Sequence, residues 1–342
     1  MSNKYDIVGI GNAVVDLFYF VDNKFIKDLG VKKNQMCVID TETLHKISEL
    51  NCKKTIAGGA VANSVRILSL LGVKSSFIGK LVNDKYGRLY MKNMEEYGID
   101  FCCNIKPLNE KVNYTTTVSI LVTRDAQRTM CTHRGASAFV AEEDIDDEVI
   151  KQSKFLYFGG YIWDDKECIE NLYKTIILSR KNGNKVIMNP SSSYCISRFR
   201  GDFLELIHNY LDVFICNEDE LMTLMQEKSF SIALSKIEKL LIKVPSLIFA
   251  ITREEKDVII LHKGKSIKVP TEDIDREHLL DTTGAGDSFS AGFIYGLIND
   301  YDLEKCGRLG NFIASIIIQK VGAKFDYEEI DKIKHRIEKL GD

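Results

Sequence analysis

The chain has 342 residues, with 46 Lys+Arg against 49 Asp+Glu, a formal net charge of −3, 45% hydrophobic and 28% charged residues. That balance excludes a disordered polyelectrolyte and offers no global basic field for nucleic acid or an anionic membrane, while the length suffices for one large domain with a substantial core. Nine cysteines at irregular spacing, with Cys102-Cys103 the only close pair, fit free thiols in a reducing compartment better than a disulfide framework, so a cytoplasmic location is expected.

The N-terminal stretch MSNKYDIVGIGNAVVDLFYF is apolar but interrupted by Gly, Asn and Asp, and it carries no small-residue cleavage site, so it reads as a first buried strand and not as a leader. No later segment approaches the run of about 18 apolar residues that spans a bilayer. Residues from about Phe18 to Asp40, and again VNYTTTVSILVTRDAQRTMCTH at 112–133, have strand character; the second is Thr-rich and alternating and breaks near Arg124-Asp125-Ala126 as a hairpin would. Two antiparallel pieces of this kind predict a small sheet beside the main domain, a lid formed by about 17–40 and 109–134. Beyond residue 150, short apolar runs alternate with helical patterns: FLYFGG then CIENLYKTIILSRKNG, KVIMNP then FRGDFLELIHNYL, DVFICN then EDELMTLMQ, and finally LIFAIT. The alternation predicts an α/β class, a mostly parallel sheet with helices on both faces, in a single domain spanning 1–342.

Chemistry concentrates at 278–298, HLLDTTGAGDSFSAGFIYGLI. The small residues Gly284, Ala285 and Gly286 let the backbone turn sharply and bring N–H groups to a bound anion at the positive end of a helix, which describes a phosphate site. Asp287 falls in the first helical turn, where the dipole favours its ionised form and it can take a proton from a hydroxyl. Taken alone, the segment reads more readily as a helix start with a capping Asp. Gly58-Gly59, followed by Asn63 at the head of SVRILSLLG, would let amides approach a sugar while the Asn side chain donates and accepts; alone, it is equally a glycine turn capping a helix. The opening Gly9-Ile-Gly11-Asn12 lacks the third glycine of a dinucleotide fingerprint, and Asp16 alone would read as a turn residue.

The set of motifs, in order, resembles the ribokinase-like (PfkB) family of carbohydrate and nucleoside kinases over roughly residues 5–325, most specifically in DTTGAGDSFSAGF, with IAGGAVANS similar to the family's N-terminal Gly-Gly signature. The resemblance implies an ATP-dependent phosphotransferase in which Asp287 is the base, the amides of Gly284, Ala285 and Gly286 stabilise the transferring group, and Arg128 of DAQRTM reaches it from the lid. It implies acceptor binding by Asn12, Asp16, Gly58, Gly59 and Asn63, where the two oxygens of Asp16 suit a cis-diol. Nucleotide contacts fall on Asn217, Thr252, Gly284, Gly286 and Asn311, with Asn217 and Glu220 organising Mg²⁺ and its waters. Asp281 and Thr283 match positions whose oxygens hold a monovalent cation, K⁺, in many members. Asn217-Glu-Asp-Glu220 is otherwise an acidic helix start, Arg128 an exposed hairpin arginine, and Asn311 a structural helical Asn. The family usually has glycines after the Thr at 252, whereas this chain has Arg253-Glu-Glu-Lys-Asp257.

Within the family, the first strand, VTRDAQRTM and SSSYCISRFRGDFLELI look closest to adenosine-kinase-like members, which implies phosphorylation of adenosine on its ribose 5′-hydroxyl to give AMP, with Phe18, Phe20 and Tyr114 placed either to enclose a base or to pack the small sheet. A ribose-, fructose- or 2-keto-sugar kinase of the same fold is the alternative, and a non-catalytic nucleoside-binding module is a second. The partners expected are a small-molecule acceptor and ATP, with no nucleic acid and no membrane, in a monomer or homodimer.

Overall fold

The computed structural model describes residues 3–341 except 104, 106–112 and 126. In chain order its strands are β1 (Tyr5–Ile10), β2 (Val14–Phe20), β3 (Met36–Val38), β4 (Lys54–Ala57), β5 (Ser75–Ile78), β6 (Asp100–Cys102), β7 (Thr116–Val122), β8 (Arg128–His133), β9 (Ser153–Gly159), β10 (Lys185–Asn189), β11 (Val213–Asn217), β12 (Ile248–Arg253), β13 (Lys256–His262) and β14 (Lys265–Val269). Nine of them form one sheet in the order β14-β13-β12-β11-β10-β9-β1-β5-β6. Pairing is parallel from β6 to β12 and antiparallel only at the β12-β13-β14 edge. The α/β expectation therefore holds, and the three strand–helix pairs and the final strand read beyond residue 150 are β9 to β12 and the helices between them.

Strand alternation sends neighbouring side chains to opposite faces, and each face buries its own core. Ile7, Tyr157, Ile187 and Ile215 join one cluster with helices Ala60–Leu70, Ala285–Ile298, Leu303–Ile317 and Tyr327–Gly341. Val8, Leu156, Phe158, Met188 and Phe214 join the other, under helices Lys166–Lys181, Ser193–Asn209, Glu218–Met225 and Phe230–Leu241. Among the described residues no helix is long and apolar enough to cross a membrane.

The second sheet has the order β3-β8-β7-β2-β4. The hairpin expected at 112–133 is present as antiparallel β7 and β8, although residue 112, Ala126 of its turn and the 109–112 start of the lid segment lie outside the described residues. The Phe18–Asp40 stretch differs from a simple antiparallel piece. A helix, Asn23–Asp28, separates β2 from β3, and the two strands take up parallel pairings with β7 and β8 respectively. The intervening helix reverses the direction of the chain, which a tight turn would have done only for an antiparallel pair. The sheet also recruits β4, antiparallel to β2, a strand that carries the chain straight into Gly58-Gly59.

Helix Ala285–Ile298 is apolar around nearly its whole circumference, with Ser288 to Ile294 and Gly296 buried, as a helix enclosed on all sides must be. It packs between helices Ala60–Leu70 and Leu303–Ile317. Against the latter its backbone comes so close that a Cβ on Gly292 would stand 2.8 Å from backbone atoms of Gly310. Because the obstacle is backbone and not a movable side chain, Gly292→Ala is expected to destabilise the fold by about 2 kcal/mol. Urea unfolding measures this, and an unchanged midpoint would mean that the two helices separate freely.

Candidate active site

The order of strands reverses between β1 and β9, and in open α/β sheets the crevice at such a switch point, beyond the C-terminal ends of the strands, is where ligands bind. Asn12, just past β1, donates its Nδ2 to the Tyr161 carbonyl just past β9, at 3.1 Å across this crevice. Its Oδ1 is buried and has no partner among the described residues. Gly59 has φ +99 and a Cβ there would lie 2.4 Å from the Asn12 carbonyl, so only glycine lets helix Ala60–Leu70 start against the end of β1. A Cβ on Gly58 would strike the Asp16 carboxylate, so that carboxylate lies directly on the Gly58 backbone.

The N-terminus of helix Ala285–Ile298 arrives at the same place. Its N-cap, Gly284, is left-handed at φ 81, and the Ala285 amide turns back to the Thr282 carbonyl at 3.2 Å. A helix start leaves its first amides without intrahelical acceptors, and those of Gly286 and Asp287 are of this kind. Asn63 Nδ2 donates to Asp287 Oδ2 at 2.8 Å, and Ser64 Oγ donates to the Asp287 carbonyl at 2.8 Å. Asp16, Gly58, Gly59, Asn63 and Asp287 are therefore brought together, as the sequence predicts.

Asp16 and Asp287 are each partly exposed, yet surrounding protein strips away enough water for burial to dominate their acidity. Burial raises Asp287 to about 6 against the lowering effects of the Asn63 hydrogen bond and the Arg66 charge. Burial raises Asp16 to about 7, with Arg66 opposing and Asp287 adding to the shift. Arg66 is a site residue that sequence reasoning missed. Its one signal was a lone charge in the otherwise apolar run SVRILSLLG, one helical turn beyond Asn63.

On the far side of the cleft, Asn217 and Thr252 are direct neighbours at the ends of β11 and β12. Asn217 and Glu220 form a reciprocal capping box: Asn217 Oδ1 accepts from the Glu220 amide at 2.8 Å and Glu220 Oε2 accepts from the Asn217 amide at 2.9 Å. The helix-start reading of this element is thus realised, with Glu220 buried and raised to about 7, chiefly by desolvation. Arg253, where the family pattern has glycine, is drawn aside by Glu218 at 2.9 Å and lies 4.1 Å over the Phe230 ring. Asn311 is buried and spends its Nδ2 on the Pro270 carbonyl at 2.8 Å, so its amide braces the loop after β14.

Arg128, at the start of β8, is not a free hairpin arginine. Its NH1 sits 2.6 Å from Asp281 Oδ1 and 2.6 Å from Thr283 Oγ1. A guanidinium thus engages the two side-chain oxygens that the resemblance assigned to K⁺. Burial pushes the Asp281 carboxyl up, but the Gly322 and Thr283 amides and Arg128 together hold it below the usual carboxylate range. A carboxylate spent on one arginine and two amides has little capacity left for a metal ion.

Comparison with known proteins agrees with this geometry. Residues 33–330 match the family described as pfkB family carbohydrate kinase. The chain is 25% identical over 345 residues to adenosine kinase 2 of Arabidopsis thaliana, covering 95% of this chain and 97% of that one. It is 29% identical to an uncharacterized sugar kinase of Archaeoglobus fulgidus, over 75% of this chain and 96% of the relative. Among solved structures, a probable sugar kinase from Rhizobium etli superposes with a TM-score of 0.87 at 29% identity, covering 98% of this chain and 99% of that one. The adenosine kinase of Sinorhizobium meliloti superposes with a TM-score of 0.86 at 28% identity, covering 97% and 99%. The chain belongs to the pfkB family and is a phosphotransferase that acts on a hydroxyl group.

Proposed function

We propose that the chain transfers the γ-phosphoryl group of ATP to the primary hydroxyl of a ribose-bearing small molecule, with adenosine as the acceptor and AMP as the product. The observation that carries this reading is the apposition of two carboxylates on one cleft floor. Asp287, at a helix N-terminus, serves as the base, and Asp16, beside Gly58, grips neighbouring hydroxyls of the acceptor. The unpartnered Oδ1 of Asn12 supplies a further acceptor for a substrate hydroxyl.

Support for a nucleoside over a free sugar comes from the small sheet. Cross-strand register puts Asp16, Phe18 and Phe20 of β2 on the same face as Ile120 and Val122 of β7 and Arg128 and Met130 of β8. Between its charged members that face is apolar, and Phe20 and Met130 remain 69% and 39% exposed, a surface that a planar base would cover. We read this sheet, the described residues of segments 17–40 and 109–134 together with β4, as a lid held to the glycine turn by Arg128. The adenosine kinases among the relatives favour the same acceptor, while the sugar kinases among them keep a ribose-, fructose- or 2-keto-sugar-type acceptor as the competing case.

In this mechanism the acceptor hydroxyl gives its proton to Asp287 as its oxygen bonds the γ-phosphorus, and the bond from that phosphorus to the bridging oxygen breaks to release ADP. The free amides at the end of the Gly284–Gly286 turn, those of Gly286 and Asp287, would meet the charge that develops on the transferring group, with the Arg128 guanidinium beside the turn at Asp281 and Thr283. Asn217 and Thr252 border the nucleotide on its own side of the cleft. Asn217 and Glu220 are the residues that would organise a Mg²⁺ ion and its waters near the phosphates. Mg²⁺ when bound neutralises phosphate charge.

Four outcomes test the reading. ATP consumption across a panel of nucleosides and free sugars should be robust with adenosine; strong turnover of a free sugar with none of adenosine would replace it. Because Asp287 takes up its proton at about 6, kcat/KM should fall on the acid side with a limb near that pH, well above the value of about 4 for an ordinary Asp. Asp287→Asn should lower kcat by about 10³-fold while leaving acceptor affinity within a few fold. The native carboxyl also binds its proton more tightly than the unfolded one, so its ionisation at neutral pH opposes folding, and the Asn variant should melt about 2 °C higher at pH 7.5. That gain should vanish as the pH falls below about 4, where Asp is protonated in both states.

A further inference from the structure

Arg66 lies in the interior at 6% exposure, on the side of helix Ala60–Leu70 that faces the cleft floor. No carboxylate lies within ion-pairing distance of it among the described residues, and its Nε finds no acceptor there. A buried guanidinium without a direct counter-ion is costly, and the groups it does touch are informative. Its NH1 donates to Asn63 Oδ1 at 2.8 Å, its NH2 donates to the Gly58 carbonyl at 3.0 Å, and its plane lies 5.6 Å over the Tyr90 ring, whose hydroxyl bonds the same carbonyl at 3.3 Å.

An amide side chain can be turned either way unless a neighbour decides. Arg66 has only donors, so it requires oxygen at the near end of Asn63 and leaves nitrogen at the far end, 2.8 Å from Asp287 Oδ2. We infer that Arg66 is a positioning residue for the base: it orients Asn63 so that the amide holds Asp287, and it supplies the positive charge that Asp287 and Asp16 share. The inference rests on the reading of Asp287 as the base. It also narrows the role of Asn63, whose remaining capacity toward an acceptor is one N–H and one lone pair of its oxygen.

The surroundings make that charge consequential. Groups facing Asp287 are Asp16 from β2, Tyr157 from β9, Tyr161 from the turn after it and Glu220 from helix Glu218–Met225, all of which are neutral or negative. Arg66 is the cation whose field reaches both Asp287 and Asp16.

The test is the pH profile of kcat/KM for Arg66→Met, Arg66→Lys and Asn63→Ala. Loss of the charge should move the acid limb upward by about one pH unit, so that Arg66→Met loses about fivefold at pH 6, about tenfold at pH 5, and recovers toward wild type by pH 9. Arg66→Lys, which restores charge without the fork, should bring the limb most of the way back. A purely structural arginine predicts instead an equal loss at every pH with an unmoved limb, and that result overturns the inference. Should Arg66→Met fail to fold, Asn63→Ala decides: it leaves Arg66 in place and breaks the relay, and an unmoved limb there also overturns it. If the wild-type chain phosphorylates no nucleoside or sugar, the base assignment falls, and the inference is then read without turnover. The difference in Tm between the chain with Asp287 and with Asp287→Asn, followed across pH, should have its midpoint shifted upward in the Arg66→Met and Asn63→Ala backgrounds and nearly restored in Arg66→Lys, and an unshifted midpoint in both of the first two refutes it.

Discussion

The hydrogen bond from Asn63 to Asp287 joins positions 224 residues apart, and the site is arranged about it. It fastens two helix N-termini to each other at the end of β1, and the Ser64 hydroxyl fastens them again through the Asp287 carbonyl. Each helix brings what a helix start offers, unsatisfied amides and a positive end of the dipole. Each is also seated by glycine, with Gly59 against the Asn12 carbonyl and Gly292 against the Gly310 backbone. Positions fixed by backbone contact cannot drift with side-chain rotamers, which suits a reaction whose catalysis is mostly a matter of placement.

The small sheet is tied to this frame at both ends of one strand. Arg128 begins β8 and bonds Asp281 and Thr283 next to the glycine turn; Arg134, immediately after β8, pairs with Asp164 beyond β9, which also holds Arg198 at 2.7 Å. One end of the strand is therefore tied to the glycine turn and the other to the segment beyond β9. The Arg128 contact lies deep enough, with Asp281 buried, that salt screens it less than it would a surface pair.

What could be read from the sequence was whatever depends on local pattern. Alternating apolar runs and helical periods fixed β9 to β12 and their helices, whereas Asp287, Asn63 and Asp16 were ambiguous one by one and were assigned by the order in which their motifs resemble the family. Partners set by long-range packing were not legible. Arg66 looked like one charge in an apolar helix, and only the fold shows that its buried side faces two carboxylates. Asp281 and Thr283 were read for an ion because nothing in their own segment names Arg128 as their occupant. The Phe18–Asp40 stretch was misread in its pairing, since strand propensity says nothing about which strand lies alongside. Arg253 shows the reverse case, a departure from the family pattern that looked disruptive until Glu218 and Phe230 were seen to hold it aside.

Burial of acidic groups runs through the whole cleft. Asp16, Asp287 and Glu220 are all raised by desolvation, to about 7, 6 and 7, and each carries the charge of another among its causes or its effects. Carboxylates in that state favour folding when protonated and oppose it when ionised, so near neutral pH the fold works against its own site. The opposition is tolerable because the rest of the molecule is packed around two extensive cores and a sheet of nine strands. It is also chemically useful: a base whose pKa lies near the working pH accepts a proton far better than one poised at the ordinary value for Asp. A single buried arginine sets how far the shift goes, since without a shared cation the two carboxylates on the floor would favour holding a proton between them, and a protonated Asp287 cannot accept another.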